Sequence, residues 1–281
     1  MGLHAAPSRP IGIYDSGVGG LSVLRAIQAE LPGEALIYVA DSAHVPYGEK
    51  SRHAVAARAL AIADYFVSRQ AKAIAVPCNT ATAAAIAILR ERHPALPIVG
   101  IEPAVKPAAQ LTRSGVIGVL ATTGTLASAR FQALVQREAP AARILLQPCP
   151  QWVLAVESGI VSGPQADAVV APPVHALQAQ GADVLVLGCT HFPFLRAAVS
   201  ACAGPQVPVL ETGQAVARQL RRRLLECGLR AEACGSGPDG KPAGAADCEF
   251  LSSGDPARFA RIAAMLLGTP VKAARLPRQY C

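Results

Sequence analysis

The chain reads as an α/β protein made of two similar parallel-sheet domains related by pseudo-symmetry, with an active site in the cleft between them. Three observations predict this. Short, continuous apolar runs alternate with helical patterns along the chain, as expected for parallel strands covered on both faces. The strand Ile11-Gly12-Ile13-Tyr14 with its polar turn Asp15-Ser16-Gly17 resembles Ile117-Gly118-Val119-Leu120 with Ala121-Thr122-Thr123. At a similar interval after each, another strand ends in a cysteine: Ala73-Ile74-Ala75-Val76-Pro77-Cys78, and Val184-Leu185-Val186-Leu187-Gly188-Cys189.

The elements follow from these alternations. Ile11 to Tyr14 is an apolar run that stops at a Gly-rich turn, and helical spacing then holds from Gly20 to Leu31. Ala35 to Ala40 is the next strand. A polar loop with Pro46-Tyr47-Gly48 leads into the helix Arg52 to Arg69. Ala73 to Val76 precedes the helix Ala81 to Arg92, and Ile98 to Gly100 is a short strand. The pattern then repeats as the strand Ile117 to Leu120, the helix Leu126 to Glu138, the strand Ile144 to Gln147 and the helix Pro164 to Gln180. Val184 to Leu187 is followed by helical spacing from Phe194 to Cys202, the strand Val207 to Leu210 and the helix Gly213 to Cys227. Glu249 to Leu251 and the helix Asp255 to Leu267 finish the chain. Gly235 to Ala246 is rich in Gly, Pro and Ala and reads as a surface loop.

Composition narrows the function. With 281 residues, 52% hydrophobic and 16% charged, the chain can bury a large core. Its formal charge of +7 comes mostly from scattered Arg, with five Lys among 26 basic residues. Arg221-Arg222-Arg223 sits at helical spacing with no aromatic neighbours to stack bases, so it reads as a solvated helix face and no nucleic acid is expected. Eight cysteines without a CxxC pair are too sparse for a disulfide scaffold. Met1 to Pro10 has no apolar stretch suited to a signal peptide, and polar residues interrupt the uncharged run from 73 to 89, so no membrane span is expected. The expected location is cytoplasmic, with reduced thiols.

The chemistry resides in the turns. A thiol at a strand-to-helix turn lies near the positive end of a helix dipole, which favours thiolate. Two thiols in matching settings suit a reaction that takes a proton from one face of a carbon and returns one to the other. The turn Asp15-Ser16-Gly17-Val18-Gly19-Gly20 also has part of a dinucleotide fingerprint, and Asp41 falls where a ribose-binding acid would. That keeps a nicotinamide oxidoreductase open, although Asp15 would repel a pyrophosphate. Asn79, Thr80, Thr122, Thr123, Thr125 and Thr190 supply short donors and acceptors at helix starts that suit an amino acid's carboxylates, or that cap the helices. Cys189 with His191 is a poor zinc spacing, so neither metal nor cofactor is expected.

Asp15-Ser16-Gly17-Val18-Gly19-Gly20, Pro46-Tyr47-Gly48-Glu49, Pro77-Cys78-Asn79-Thr80-Ala81 and Gly188-Cys189-Thr190-His191-Phe192-Pro193 closely resemble bacterial glutamate racemase, in that order and over nearly the whole chain. The resemblance implies a cofactor-independent, two-base interconversion of L- and D-glutamate that supplies peptidoglycan. It also implies a discontinuous first domain, residues 1–100 plus 211–281, around a second of 101–210. Cys78 would serve the D-glutamate proton and Cys189 the L-glutamate proton, assisted by Asp15 and His191 respectively. Glu157 and Asp41 match further acidic positions. Asp15, Ser16, Asp41, Tyr47, Gly48, Asn79, Thr80, Thr122, Thr190 and His191 would hold the substrate. Phe192 and the pair Gln151-Trp152 depart from the family pattern. The expected partner is glutamate itself, with a homodimer left open. Aspartate racemase and a non-catalytic amino-acid-binding protein remain as alternatives.

Overall fold

The structure, a computed structural model, describes residues 9–231 and 248–281. The Gly235 to Ala246 loop, with Cys234, lies outside the described residues. In chain order the elements are β1 (Ile11–Asp15), α1 (Leu21–Glu30), β2 (Leu36–Ala40), α2 (Arg52–Ser68), β3 (Ala73–Val76), α3 (Asn79–Arg92), β4 (Ile98–Gly100), α4 (Val105–Leu111) and β5 (Val116–Ala121). They continue with α5 (Thr123–Leu126), α6 (Ala129–Glu138), β6 (Arg143–Pro148), α7 (Pro150–Glu157), α8 (Gly163–Ala179) and β7 (Val184–Leu187). The last are α9 (Arg196–Ala203), β8 (Val209–Leu210), α10 (Gly213–Glu226), β9 (Cys248–Ser252), α11 (Pro256–Leu267) and β10 (Ala273–Arg275).

The strands form two parallel sheets, ordered β10-β9-β2-β1-β3-β4 and β6-β5-β7-β8. Within them, β2-β1-β3-β4 and β6-β5-β7-β8 are the same arrangement. The pseudo-symmetry seen in the repeat therefore pairs β1 with β5 and β3 with β7. The central strands carry no charge before their last residue, and β1, β2, β3 and β7 are buried throughout, because helices cover both faces. One buried apolar cluster runs through both halves, from Ile11 and Leu24 to Leu187 and Val199. Separate clusters fill the outer faces, under α2 and α3 in one half and under α4 and α6 in the other. Among the described residues no helix is long and apolar enough to cross a membrane.

The two family departures meet in the core. Trp152 and Phe192 are both buried, with ring centroids 4.8 Å apart at 64°, an edge-to-face pair. Trp152 Nε1–H also donates to the Val169 carbonyl at 3.0 Å, which pins α7 to α8. The sequence expectation had no helix here. Pro150 begins it at the first turn, where its missing N–H costs nothing. Packing of Trp152 then aims Glu157, at the helix end, back towards the cleft. Two further expectations are corrected. The helix expected from Leu126 to Glu138 is broken, with Ser128 capping a new start at Phe131 N–H. The expected helix start at Ala81 moves to Asn79, since the Cys78 sulfur caps it.

Candidate active site

The carboxyl ends of β1, β3, β5 and β7 face a common cleft, where open α/β sheets present their loops. Cys78 follows β3 and Cys189 follows β7, so topologically equivalent strands each bring one thiol to it. Ser16, Tyr47, Gly48, Asn79, Thr80, Thr122, Thr190 and His191 line the cleft with both cysteines. The structure thus brings together most residues expected from sequence. Pro46, Glu49, Thr123, Pro150 and Val153 also line it. The last two come from α7, a helix absent from the sequence expectation. The space left is about 20 Å³, roughly the room for one water molecule.

Asp15, Asp41 and Glu157 stand behind the lining. Asp15 accepts the Gly17 N–H at 2.9 Å and the Thr190 hydroxyl at 3.0 Å. Asp41 is a wall support, not a lining residue. Its buried carboxylate accepts two hydrogen bonds from Arg58, each 2.9 Å, and one from the Tyr47 hydroxyl. Glu157 crosses between the halves: its Oε1 accepts the Val18 N–H at 2.8 Å and meets His191 Nε2 at 2.7 Å. The Gly-rich turn is therefore filled by the chain's own carboxylates, and a pyrophosphate would have to displace both. That closes the dinucleotide reading. Close approach also explains the glycines, since a Cβ on Gly17 would lie 1.9 Å from Glu157 Oε1 and one on Gly19 2.4 Å from His191 Nδ1.

The two thiols sit in different electrostatic settings. Cys78 Sγ has the Ser16 hydroxyl at 3.8 Å and accepts the Ala81 N–H at 3.5 Å. Burial pushes its thiol far up, the charge of Asp15 adds to this, and these two hydrogen bonds oppose it without prevailing. Burial and the Asp15 charge thus favour the neutral thiol at Cys78, opposite in direction to the pull expected of a helix start. Cys189 has no α-helix start beside it. A 3₁₀ turn, Phe192–Leu195, precedes α9, and its sulfur lies 3.6 Å from His191 Nδ1 instead. Burial works against a charged His191, but the hydrogen bonds to Cys189 and Glu157 prevail and hold its pKa well above the ordinary histidine value. Burial likewise raises the Asp15 carboxyl, against the pull of His191 and the Gly17 and Thr190 donors.

Across the cleft, Thr80 and Thr122 hydroxyls meet at 2.9 Å, and Thr122 donates to Thr125 at 2.9 Å. Asn79 Nδ2, by contrast, is buried with no hydrogen-bond partner among the described residues. A buried donor left unpaired is costly, so Asn79 has a hydrogen bond to offer to whatever enters the cleft it lines.

A profile of the family described as Asp/Glu/Hydantoin racemase matches residues 18–220. The glutamate racemase of Ectopseudomonas mendocina (strain ymp) is 51% identical over 259 residues, covering 92% of this chain and 95% of its own. That of Pseudomonas aeruginosa PAO1 is 48% identical over 272 residues, covering 97% and 99%. The crystal structure of Francisella tularensis glutamate racemase in complex with D-glutamate superposes with a TM-score of 0.81 at 26% identity, covering 97% of this chain and 98% of that one. With its paired thiols at equivalent strand ends and this similarity along its length, the chain belongs to the Asp/Glu/hydantoin racemase family and is an amino-acid racemase.

Proposed function

We propose that the protein racemises glutamate with Cys78 and Cys189 as acid and base on opposite faces of the α-carbon, supplying D-glutamate for peptidoglycan in the cytoplasm. The observation that carries this is the placement of one thiol after each of two equivalent strands, on one cleft. From L-glutamate, the Cys189 sulfur takes the α-proton as thiolate and the Cys78 thiol gives its proton to the other face. The enzyme is left with Cys189 protonated and Cys78 as thiolate, and exchange with solvent resets it. A free thiol is only about 3% thiolate at neutral pH, so each sulfur needs its own proton management. Neutral His191 takes the Cys189 thiol proton to give the thiolate, and the resulting imidazolium, stabilised by the Cys189 sulfur and by Glu157, can return it. Cys78, kept neutral by burial, starts as the donor.

The threonine and asparagine turns would hold the two carboxylates. Because the cleft has room for little more than a water, its lining must rearrange to admit glutamate. Heavy water tests the two-thiol step. Starting from L-glutamate, early D-glutamate should carry deuterium at the α-carbon while recovered L-glutamate carries none. Early product that retains the original α-proton would mean a single base. L-aspartate, run in parallel, should lose its optical rotation far more slowly than L-glutamate; equal rates would move the substrate to the shorter acid.

The Gly19 contact gives a second expectation. In Gly19→Ala, the new methyl must push His191 off the Cys189 sulfur, since the two would otherwise be 2.4 Å apart. A displacement of about 1 Å at a reacting group costs roughly 10²-fold, so kcat should fall by about that factor while the far-ultraviolet circular dichroism stays unchanged. Wild-type kcat in this variant would show that His191 placement does not limit the reaction.

A further inference from the structure

We propose that Arg58 is a positioning residue for the substrate cleft, acting through Asp41 and Tyr47 to hold the 41–50 loop against the opposite half of the molecule. This rests on the racemase reading above.

The loop needs an external support. It has no regular structure beyond a single 3₁₀ turn, Tyr47–Glu49, yet four consecutive residues, Pro46, Tyr47, Gly48 and Glu49, line the cleft. On its far side it lies directly on the β5–α5 turn. A Cβ on Gly48 would stand 2.8 Å from the Thr122 Cβ, and one on Gly124 3.1 Å from the Gly48 carbonyl oxygen. A shift of a few tenths of an ångström in this loop therefore changes the width of the cleft.

What holds the loop is a buried polar knot. Asp41, fully buried at the end of β2, accepts the Tyr47 hydroxyl, and the Tyr47 hydroxyl also meets that of Tyr14 at 2.6 Å. His44 Nδ1 lies 3.0 Å from the other Asp41 oxygen. Arg58, reaching across from α2, supplies the fixed counter-charge, with Nε on one carboxylate oxygen and Nη2 on the other. The planar fork sets the carboxylate's rotation, and the carboxylate sets Tyr47. Burial works to raise the Asp41 pKa, but the Arg58 and Tyr47 hydrogen bonds win and hold it low, so the acceptor stays ionised. Arg58 Nη2 also donates to the Tyr280 carbonyl at 2.8 Å, which ties the C-terminal turn to the same knot. Arg58 does not line the cleft and touches neither thiol. Its loss should therefore weaken glutamate binding and spare the proton transfers.

The test is steady-state kinetics of racemisation for Arg58→Gln, Tyr47→Phe and the double variant. Each single change should raise KM for glutamate roughly tenfold with kcat within about threefold, as for loss of a charge-assisted hydrogen bond that acts on binding. If Arg58 works through Tyr47, the double variant should be no worse than the weaker-binding single, because the second change removes a link already broken. Arg58→Lys should recover part of the loss, since it keeps the charge without the fork. Three results overturn the proposal: wild-type KM in Arg58→Gln, multiplied effects in the double variant, or a fall in kcat at constant KM. If Arg58→Gln does not fold, Arg58→Lys alone decides, by a raised or an unchanged KM. Failure of the wild-type protein to racemise glutamate would instead overturn the functional reading itself.

Discussion

Replacing Cys78 or Cys189 with Ser is expected to lower racemisation at least about 10³-fold in both directions, the upper range for losing a positioned acid or base. A hydroxyl is several pKa units weaker than a thiol as an acid, and its alkoxide is inaccessible at neutral pH. Both directions fail together, because the base of the forward reaction is the acid of the reverse. The two variants should nevertheless differ in exchange. With Cys78 replaced, Cys189 still reaches the L-face proton, so L-glutamate should slowly take up deuterium from heavy water without becoming D-glutamate. With Cys189 replaced, D-glutamate should do so. Proton NMR of the α-position reads both at once. Near-normal racemisation in either variant would remove that thiol from the mechanism.

The largest effect on stability should come from a site remote from this chemistry. Glu34 and Lys72 form an ion pair with side chains only 2% and 1% exposed, and Glu34 Oε1 also accepts the Ala231 N–H at 2.9 Å. Glu34→Gln removes the carboxylate from this buried pair. Breaking a buried pair from one side costs about 3–5 kcal/mol, which for a chain of this size lowers Tm by roughly 6–20 °C. Thermal unfolding followed by circular dichroism measures it. A change under about 2 °C would show that the site relaxes to rehydrate Lys72. Because Glu34 lines no part of the cleft, kcat at 25 °C should be unaffected.

Much of the fold was legible along the chain. All nine strands expected from apolar runs are present, since a strand buried on both faces must be apolar throughout and so advertises itself. The exception is β10, whose Ala273–Arg275 has no apolar run because it is a short edge strand paired only with β9. Helices α4 and α7 were missed for a related reason: each is short, and α7 starts at Pro150 directly after Pro148-Cys149. The site's lining was legible where it lies next to a strand end, as with Ser16, Cys78, Asn79, Thr122 and Thr190. Arg58 left no signal, being one Arg on a helix face among many.

The amino-acid sequence alone determined which chemistry is present: two thiols at matching strand ends, with short polar side chains around them, in a parallel α/β frame. Local pattern suffices for this, because strand periodicity and turn composition are properties of neighbouring residues. Tertiary structure alone decided what each group experiences. It buried Cys78 deeply enough to push its thiol pKa up, and set His191 rather than an α-helix start beside Cys189. It drew Glu157 across to the Gly-rich turn, and made Asp41 a support for Tyr47 through Arg58. Apart from Cys189 and His191, which are two positions apart, these are contacts between residues 6 to 139 positions apart, and their strength depends on desolvation, which exists only once the core has closed around them.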